Sequence, residues 1–327
     1  MSVLARSFPR FDVRQTTFAI DIIEGLSATP KRIPSKYFYD EAGSHLFEQI
    51  TGLAEYYPTR IELQILRDRS QAICSWFGQN AVLIEFGSGS TTKAQILLHA
   101  APALAAYVPV DISAEYLNGE AQRLRRQFPN LNVLPVAADF TGPFDLPRDI
   151  GRLPRVGFFP GSTIGNFEPG EAAAFFHHAA DILGPGATFI VGVDLVKDPA
   201  VLNAAYNDAS GVTARFNLNM LVRANRELGA NFDLGAFEHW AFYNPGRSRI
   251  EMHLKSRTHQ QVKIAGRTFD FRAGETIHTE NSYKYTPDTF AALVRRAGWV
   301  PQAVWTDRQG YFSVHALKLL NRDNPQI

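Results

Sequence analysis

The amino-acid sequence predicts an α/β fold in which a doubly wound parallel sheet is combined with a second, α+β domain. The chain has 327 residues, of which 45% are hydrophobic and 20% charged, so it can bury a complete core. From about Leu63 to Leu195, short apolar runs alternate with longer amphipathic stretches, a pattern typical of consecutive βαβ units. After Leu195 the pattern changes to helices followed by short strands, which indicates an insert within the first domain.

Five apolar runs are predicted to be the buried strands of the parallel sheet. Each is separated from the next by a stretch long enough for a helix, as the crossover between parallel strands requires. The runs lie at 82–86, 107–111, 132–136, 156–159 and 187–193.

The insert is predicted to begin with two helices and to continue as an antiparallel sheet. Asp198 and Pro199 fit the N-cap and first position of a helix that runs through Tyr206. The second helix covers 212–228. The strands that follow, separated by turn residues, are predicted at 241–243, 250–254, 261–264 and 276–283.

After residue 287 the chain is predicted to return to the first sheet. A helix over 288–297 leads to strands at 303–305 and 311–317, which we expect to form a hairpin at the edge of that sheet. A substrate would then lie in a cleft beside the carboxyl ends of the parallel strands, covered by the insert. The two predicted domains are 1–60 with 197–286, and 61–196 with 287–327.

A glycine-rich turn follows the first strand of the parallel sheet. Residues 85–90 (EFGSGS) end that strand and open a helix, where glycines allow the backbone to approach a ligand closely. The dinucleotide fingerprint G-x-G-x-x-G would need glycine at position 92, which is Thr92. A nicotinamide or flavin dinucleotide is therefore disfavoured as the ligand. The shorter loop suits a nucleoside without a pyrophosphate.

Polar residues near the ends of the next strands extend the prediction of a nucleoside site. Asp111 lies 24 residues after Gly87, close to the spacing at which an acid meets both ribose hydroxyls. Asp139 and Phe140 follow the third strand. There a carboxylate could accept a hydrogen bond from the adenine amino group, and an aromatic ring could pack on the base. Lys93, in the first turn of a helix, could pair with the carboxylate of a methionine moiety or be a solvated lysine. Together these residues favour S-adenosylmethionine.

The charge balance and the cysteine count exclude several other classes of protein. Lys+Arg 33 against Asp+Glu 32 leave a formal net charge of +1, so nucleic acid is not expected as a partner. The single cysteine, Cys74, excludes a disulfide framework and fits a reducing compartment. No segment has the pattern of an export signal or a membrane helix, so we expect a cytoplasmic protein with no membrane partner. His177 and His178 are adjacent rather than three or four residues apart, and no metal is expected.

Eight longer motifs follow one another between about Lys31 and Leu317 and so cover nearly the whole chain. They are 34–40 (PSKYFYD), 55–60 (EYYPTR), 161–166 (GSTIGN), 194–198 (DLVKD), 211–214 (GVTA), 225–228 (NREL), 249–252 (RIEM) and 278–282 (HTENS). In this order they resemble the histidine-specific N-alpha-methyltransferases of ergothioneine biosynthesis.

The resemblance implies a monomer with a Rossmann-like class I methyltransferase sheet and an α+β substrate-binding domain. It implies that S-adenosylmethionine, used three times, trimethylates the α-amine of L-histidine through mono- and dimethylated intermediates to hercynine, the first step of ergothioneine biosynthesis. Domain 61–196 with 287–327 would bind S-adenosylmethionine, and domain 1–60 with 197–286 would bind histidine. The matching cofactor positions are Gly87, Lys93, Asp111, Asp139 and Phe140, and the matching substrate positions are Tyr56, Asn166, Tyr206, Glu280 and Ser282.

The chemistry of the substrate positions agrees with this resemblance. Glu280 and Ser282 are two apart on a predicted strand, so they share one face and could serve the two nitrogens of an imidazole; the alternative is a solvated pair. Asn166 could align the substrate amine, or stabilise its own turn, while Tyr39 or water could receive the amine proton. Met252 could line the ring pocket, although core packing is the more common role of methionine.

Three further residues complete the predicted substrate site. Tyr56 and Tyr206 could donate hydrogen bonds to the substrate carboxylate, although tyrosines commonly occupy cores. Asn281 is assigned to the site because it lies between the predicted imidazole contacts, where relatives commonly carry an apolar residue. An asparagine in place of an apolar residue is expected to change the volume of the substrate pocket.

Four alternative functions stay open. A methyltransferase of the same fold could act on another amino acid or a small amine, but an indole or phenol would not use both Glu280 and Ser282. An NAD-dependent oxidoreductase is disfavoured by Thr92. A non-catalytic protein that binds S-adenosylmethionine is disfavoured by the intact Asn166, and an RNA methyltransferase by the balanced charge.

Overall fold

A computed structural model describes residues 16–320 of the chain, which form two compact units. Unit 1 comprises 16–55, Asn203–Tyr243 and Ile250–Glu280, and unit 2 comprises Tyr56–Leu202, Asn244–Arg249 and 281–320. The chain passes from one unit to the other after residues 55, 202 and 280. The corresponding boundaries of the predicted domains fall after residues 60, 196 and 286. Residues 1–15, in which no export signal is predicted, lie outside the described residues, as do the last seven residues of the predicted C-terminal segment.

The described residues contain nine α-helices and fourteen strands, numbered in chain order. The helices are α1 (Thr17–Ser27), α2 (Glu41–Thr51), α3 (Tyr57–Cys74), α4 (Thr92–Ala100), α5 (Ala114–Gln127), α6 (Pro169–Leu183), α7 (Pro199–Tyr206), α8 (Val212–Leu228) and α9 (Pro287–Arg296). The strands are β1 (Lys31–Arg32), β2 (Val82–Phe86), β3 (Ala106–Asp111), β4 (Asn132–Val133), β5 (Val136–Ala137), β6 (Arg155–Phe159), β7 (Thr188–Asp194), β8 (Phe237–Asn244), β9 (Arg249–Ser256), β10 (Gln260–Ile264), β11 (Arg267–Phe271), β12 (Thr276–Tyr283), β13 (Trp299–Thr306) and β14 (Phe312–Leu319). No helix among these residues is both long and apolar enough to span a membrane.

Unit 2 is organised around one large sheet. Its strands lie in the order β13-β14-β7-β6-β2-β3-β4, and β5 also pairs with β3. The pairs formed by β2 to β7 are parallel, whereas β14 is antiparallel to both β7 and β13. The predicted parallel sheet and C-terminal hairpin are therefore confirmed, with β14 placed between β7 and the edge strand β13.

One predicted strand of this sheet is divided in two. The run 132–136 was expected to be continuous, but Leu134 and Pro135 separate β4 from β5. Proline has no N–H to donate to a neighbouring strand, so the ladder with β3 is interrupted at that point. Both short pieces still pair with β3 in parallel.

The core of unit 2 is rich in aromatic rings. Phe86, Phe159 and Phe189 from three neighbouring strands pack with Phe175 of α6, and the rings of Phe159 and Phe175 lie 4.5 Å apart. Gly157 is required in β6 because a Cβ there would lie 2.5 Å from the ring of Phe189. This packing fixes the carboxyl ends of the parallel strands, from which the loops of the candidate site emerge.

Unit 1 contains a four-stranded sheet in the order β1-β12-β9-β8 and a separate hairpin formed by β10 and β11. The predicted single antiparallel sheet is corrected here: 261–264 belongs to the hairpin, whose second strand, β11, was not predicted. The turn Ala265-Gly266 has positive φ at both residues, 47° and 83°, as tight hairpins favour.

The two predicted helices that open the insert are confirmed as α7 and α8. Asp198 caps α7, since its Oδ1 accepts from the backbone N of Ala200 at 2.8 Å. Helix α8 packs in unit 1, where Phe216 stacks on Phe38 with ring centroids 4.5 Å apart. Strand β12 begins in unit 1 and ends in unit 2, the change falling between Glu280 and Asn281.

Candidate active site

The glycine-rich turn after β2 is held by the carboxylate at the end of β3. Gly87 and Gly89 have φ values of 71° and 36°. Asp111 accepts from the backbone N of Gly89 at 3.1 Å through Oδ2 and from that of Ser113 at 3.0 Å through Oδ1. A Cβ at Gly87 would lie 3.0 Å from the ring of Phe140, so the glycine allows that ring to approach. The structure thus brings Gly87, Asp111 and Phe140 together.

The residues around this turn fit an adenosine ligand. Asp111 is half-buried, and each of its oxygens keeps a lone pair beyond those used by the loop, enough to accept from two ribose hydroxyls. The Ser88 hydroxyl is buried and has no hydrogen-bond partner among residues 16–320, an unfavourable state that a polar ligand group would relieve. Asp139 is exposed and accepts from the backbone N of Thr141 at 3.0 Å and from its hydroxyl at 2.5 Å.

Lys93 has a carboxylate partner within the protein. Its Nζ lies 2.5 Å from Oε2 of Glu62, a fully buried residue of α3. The Glu62 carboxylate also accepts from the backbone N of Gly161, at 2.9 Å to each oxygen. Glu62 therefore supplies an anion beside Lys93 within the protein itself. A contact between Lys93 and the methionine carboxylate stays a prediction.

The loop after β6 ends in a 3-10 turn, Thr163–Asn166, that packs on β12. Ser162, which precedes the turn, has a left-handed φ of 55°, and its Oγ accepts from the backbone N of Asp194 at 2.9 Å. A Cβ at Gly165 would lie 2.8 Å from the carbonyl oxygen of Tyr283, so only glycine allows this approach. Asn166 is consequently held next to the end of β12, which carries Ser282.

A buried ionic cluster lies beside Ser282 in unit 2. Asp194, at the end of β7, contacts the ammonium groups of Lys197 at 2.6 Å and Lys284 at 2.8 Å, and all three side chains are at most 3% exposed. The Tyr57 hydroxyl donates to both oxygens of Asp194, at 2.9 and 2.8 Å. Lys284 also donates to Oγ of Ser282 at 2.7 Å. The cluster thus connects Ser282 to the strand end that holds the Asn166 turn.

The charge states within this cluster follow from burial and pairing. Burial by itself would raise the pKa of Asp194, but the ammonium groups of Lys284 and Lys197 outweigh it and hold that pKa below its usual value. Burial lowers the pKa of Lys197 to about 8, even though Asp194 acts in the opposite direction. At neutral pH the carboxylate is ionised and Lys197 is mostly charged.

Asn281 has a structural contact on the other face of β12. Its Nδ2 donates to Oε1 of Glu168 at 3.0 Å, and Tyr283 donates to Oε2 of the same carboxylate at 2.6 Å. Arg249 completes the group, 2.7 Å from Oε1 of Glu168. Because side chains alternate along a strand, Asn281 projects away from the face of Ser282. Its assignment to the substrate stays a prediction.

The other predicted substrate residues lie at defined places in each unit. Tyr39 is 37% exposed in unit 1 and contacts the rings of Phe47 and Phe216 edge-on, at 5.6 and 5.8 Å. Tyr206 is buried at the end of α7, and its carbonyl oxygen accepts from Nε2 of His239 at 2.8 Å. Tyr56 is buried at the N-cap of α3 in unit 2.

Strands β9 and β12 carry the two remaining predicted positions. Met252 is buried in unit 1, and its carbonyl oxygen accepts from the Thr279 hydroxyl at 3.0 Å. Glu280 is buried in β12. Their roles toward a substrate stay predictions.

Three residues of unit 1 form a group that could supply ligands to a metal ion. The ligand atoms of Glu251, His253 and His278 lie within 4.8 Å of one another. Nε2 of His253 is 3.3 Å from Oε2 of Glu251, and its ring centroid is 5.0 Å from that of His278. This group was not found from the sequence because its members come from two strands separated by the β10–β11 hairpin, whereas His177 and His178 are not part of it.

The buried cluster of Asp194, Lys197 and Lys284 was not predicted from the sequence. A signal was present, since Asp194 ends a strongly apolar run and Lys284 continues the two-residue spacing of Glu280 and Ser282. What the pattern could not show is that one carboxylate would meet both lysines. That meeting depends on β7 and the end of β12 lying together in the folded chain.

The order of the large sheet and the site at its carboxyl ends together define a class of protein. Counted along the chain, its strands lie in the order 3-2-1-4-5-7-6 with the seventh antiparallel, and the glycine turn and the acid follow the first and second strands. This is a class I methyltransferase that uses S-adenosylmethionine. More specifically, the chain belongs to the histidine-specific, S-adenosylmethionine-dependent methyltransferases, whose family model matches residues 18–319.

Individual relatives agree with this assignment. The chain is 44% identical over 303 residues to the histidine N-alpha-methyltransferase of Mycolicibacterium smegmatis, covering 90% of this chain and 92% of that one. It is 32% identical over 314 residues to ergothioneine biosynthesis protein 1 of Neurospora crassa, covering 89% of this chain and 33% of that one. A possible exported protein from Bordetella parapertussis has a similar fold, with a TM-score of 0.51, 11% identity and coverage of 92% and 87% of the two chains.

Proposed function

We propose that this protein transfers methyl groups from S-adenosylmethionine to the α-amine of L-histidine, three times in succession, and so forms hercynine in ergothioneine biosynthesis. The family and its named relatives support the substrate. The observation in the structure that carries the proposal is the packing of the Asn166 turn on β12. Through the close approach of Gly165 to Tyr283, an amide able to orient an amine lies beside the strand that carries Ser282.

The proposed site recognises histidine at both ends of the molecule. Glu280 accepts from one N–H of the imidazole, and the hydroxyl of Ser282 serves the other ring nitrogen. Tyr56 and Tyr206 donate to the carboxylate, which distinguishes a free amino acid from a residue within a peptide. A substrate without a matching pair of ring nitrogens leaves buried polar groups unpaired, and this disfavours its binding. Met252 and Asn281 are assigned to the surroundings of the ring.

The residues around the glycine turn are proposed to hold the methyl donor. Asp111 accepts from the ribose hydroxyls, Phe140 packs on the adenine, and Asp139 accepts from the adenine amino group. Gly87 leaves space for the nucleoside, and Lys93 contacts the methionine carboxylate while it remains paired with Glu62. The buried Ser88 hydroxyl and the close contact of Phe140 with Gly87 support this placement.

The reaction requires mainly that the amine be held in line with the sulfonium. S-adenosylmethionine supplies the methyl group: its S–CH3 bond breaks as the N–CH3 bond forms, leaving S-adenosylhomocysteine. Asn166 accepts from the amine and orients its lone pair, so positioning is the principal source of rate. Before each transfer the ammonium loses a proton to water, either directly or through the Tyr39 hydroxyl, which releases its own proton to water as it accepts one. The reaction stops after three transfers because the trimethylated nitrogen has no lone pair.

The proposal includes mono- and dimethylhistidine as intermediates and a monomeric enzyme in the cytoplasm. As methyl groups replace N–H groups, Asn166 loses its contacts with the amine. The contacts to the carboxylate and the imidazole then have to retain the intermediate. The single cysteine supports a reducing compartment.

Mass spectrometry of the reaction products tests the proposal. Purified protein is incubated with S-adenosylmethionine and a mixture of the free amino acids, and we expect only histidine to gain three methyl groups. Glu280→Gln, which removes the charge of the acceptor, is expected to reduce kcat/KM for histidine at least tenfold. Glu238→Gln is the matched control, because the Glu238 side chain lies at the surface in ion pairs with Lys255 and Arg257 at 3.4 Å.

Two results would contradict the proposal in different ways. Trimethylation of another amino acid in place of histidine would contradict the proposed substrate, while the assignment of the protein as a methyltransferase would stand. Methylation of histidine with equal efficiency by both glutamate variants would remove the assigned role of Glu280.

A further inference from the structure

The hydroxyl of Ser282 has a partner that the recognition of an imidazole does not itself require. Nζ of Lys284 donates to Oγ of Ser282 at 2.7 Å and contacts Oδ2 of Asp194 at 2.8 Å. The Lys284 side chain is 1% exposed, so its ammonium is held by protein groups rather than by bulk water. A buried lysine fixed in this way imposes an orientation on the serine.

The cluster around Lys284 contains a second ammonium group. Asp194, which contacts Lys284, is shared with Lys197, whose Nζ lies 2.6 Å from Oδ1. The titratable groups that face the cluster from neighbouring elements are Tyr57 of α3, Asp194 of β7, Lys197 beyond β7, and Asp307, which acts on Lys197 through its charge. Lys284 and Lys197 therefore share the carboxylate of Asp194.

This arrangement changes what Ser282 offers to a ligand. An ammonium has only donors, so the serine oxygen accepts from Lys284, and the polarised hydroxyl becomes a stronger donor and a weaker acceptor. A neutral imidazole has one ring nitrogen that accepts a hydrogen bond, whereas an imidazolium has none.

Without Lys284, the same site would have the opposite preference. The Glu280 carboxylate and a serine free to accept would together favour the imidazolium, which donates from both nitrogens. We propose that Lys284 is a positioning residue that directs the Ser282 hydroxyl as a donor, so that the enzyme binds histidine with a neutral imidazole. This inference rests on the proposed function, in which Ser282 contacts the imidazole.

Calorimetric titration of L-histidine into the protein saturated with S-adenosylhomocysteine tests the inference between pH 5.0 and 7.0. The substrate imidazole titrates near pH 6.5 and its α-amine stays protonated in this range. For the unaltered protein we expect the affinity for histidine to decrease, by a factor that approaches ten for each pH unit below about 6. Lys284→Met is expected to weaken binding roughly tenfold at pH 7.0 and to remove most of this pH dependence.

Lys197→Met is the matched control. It removes the other ammonium from Asp194 and leaves the contact between Lys284 and Ser282 intact. Its affinity and pH profile for histidine are expected to follow those of the unaltered protein. Both variants leave one ammonium for one carboxylate, so each retains a balanced buried pair, and circular dichroism checks that each is folded.

A second measurement uses the unaltered protein alone and so does not depend on the folding of a variant. Nuclear magnetic resonance of ring-15N-labelled histidine in the complex with S-adenosylhomocysteine at pH 5.5 reports the protonation of the ring. We expect one neutral tautomer, although free histidine is mostly imidazolium at this pH.

Several outcomes would overturn the inference. A bound imidazolium in the unaltered protein contradicts it, as does a Lys284→Met variant with unchanged affinity and pH profile. Equal effects of the two lysine substitutions would show that only the total charge matters. Failure of the proposed function gives a different result, since the unaltered protein would then neither bind nor methylate L-histidine at any pH.

Discussion

Two aspartates at the ends of parallel strands of the same sheet have different environments. Asp111 ends β3, is half-buried, and accepts from two backbone N–H groups, those of Gly89 and Ser113. Asp194 ends β7, is 1% exposed, and is surrounded by two ammonium groups and a phenol. The same residue type at equivalent places therefore shapes a loop in one case and neutralises buried charge in the other.

The difference shows that exposure decides what a carboxylate at a strand end can do. Asp111 keeps contact with solvent, so a ligand can reach its remaining lone pairs. Asp194 has its charge compensated within the protein, and its loss would remove the carboxylate that two buried ammonium groups share. We therefore expect substitution of Asp194 to affect chiefly folding and substitution of Asp111 to affect chiefly binding.

Asp194→Asn is expected to have the largest effect on stability. The substitution keeps the size of the side chain but removes the carboxylate that the buried Lys197 and Lys284 share, so the free energy of unfolding should fall by about 3–5 kcal/mol. Urea unfolding followed by circular dichroism measures the change. Lys197→Met is the control, because it leaves one ammonium for one carboxylate, and an equal loss in that variant would contradict the charge argument.

Glu85→Gln tests a third carboxylate, near the end of β2, which is buried and accepts a hydrogen bond from the Tyr107 hydroxyl. Burial raises its pKa from 4.5 to about 8, although the Tyr107 hydroxyl and Lys93 act in the opposite direction. Between these values the folded chain holds a proton that the unfolded chain releases, so the stability of the unaltered protein falls as pH rises.

From pH 6 to pH 8 the unaltered protein should therefore lose about 2 kcal/mol relative to Glu85→Gln, which cannot titrate. Urea unfolding at the two pH values measures this difference. Glu115→Gln, at an exposed position of α5, is the control and should show the pH dependence of the unaltered protein. A parallel pH dependence for Glu85→Gln would mean that Glu85 is ionised in the folded chain.

Asp111→Asn is expected to change ligand binding most and stability least. One of its two oxygens becomes an NH2 group that can no longer accept, so we expect affinity for S-adenosylhomocysteine to fall about 10- to 100-fold. Calorimetry measures the affinity, and urea unfolding should change by less than about 1 kcal/mol. Asp145→Asn, at an exposed position, should alter neither quantity. Loss of stability without loss of affinity in Asp111→Asn would reverse the comparison.

Much of the large sheet could be predicted because its strands are apolar throughout. Runs such as 82–86 and 187–193 are recognisable without any neighbour, since a strand buried on both faces is continuously hydrophobic. The division of 132–136 was missed, although Pro135 was visible, because a proline interrupts pairing only where the partner strand needs its N–H. The hairpin of β10 and β11 was missed because the alternating pattern does not state which strands pair.

By itself, the sequence determined most of the order of strands and helices around the large sheet, the glycine turn followed by Asp111, and the motifs that identify the family. These features depend on local pattern and on spacing along the chain. The tertiary structure alone decided that Glu62 pairs with Lys93 and that Asp194 holds both Lys197 and Lys284 next to Ser282. Residues up to 90 positions apart meet in these contacts, and burial then lowers the pKa of Lys197. A sequence pattern contains neither the distance between such charges nor their exclusion from water.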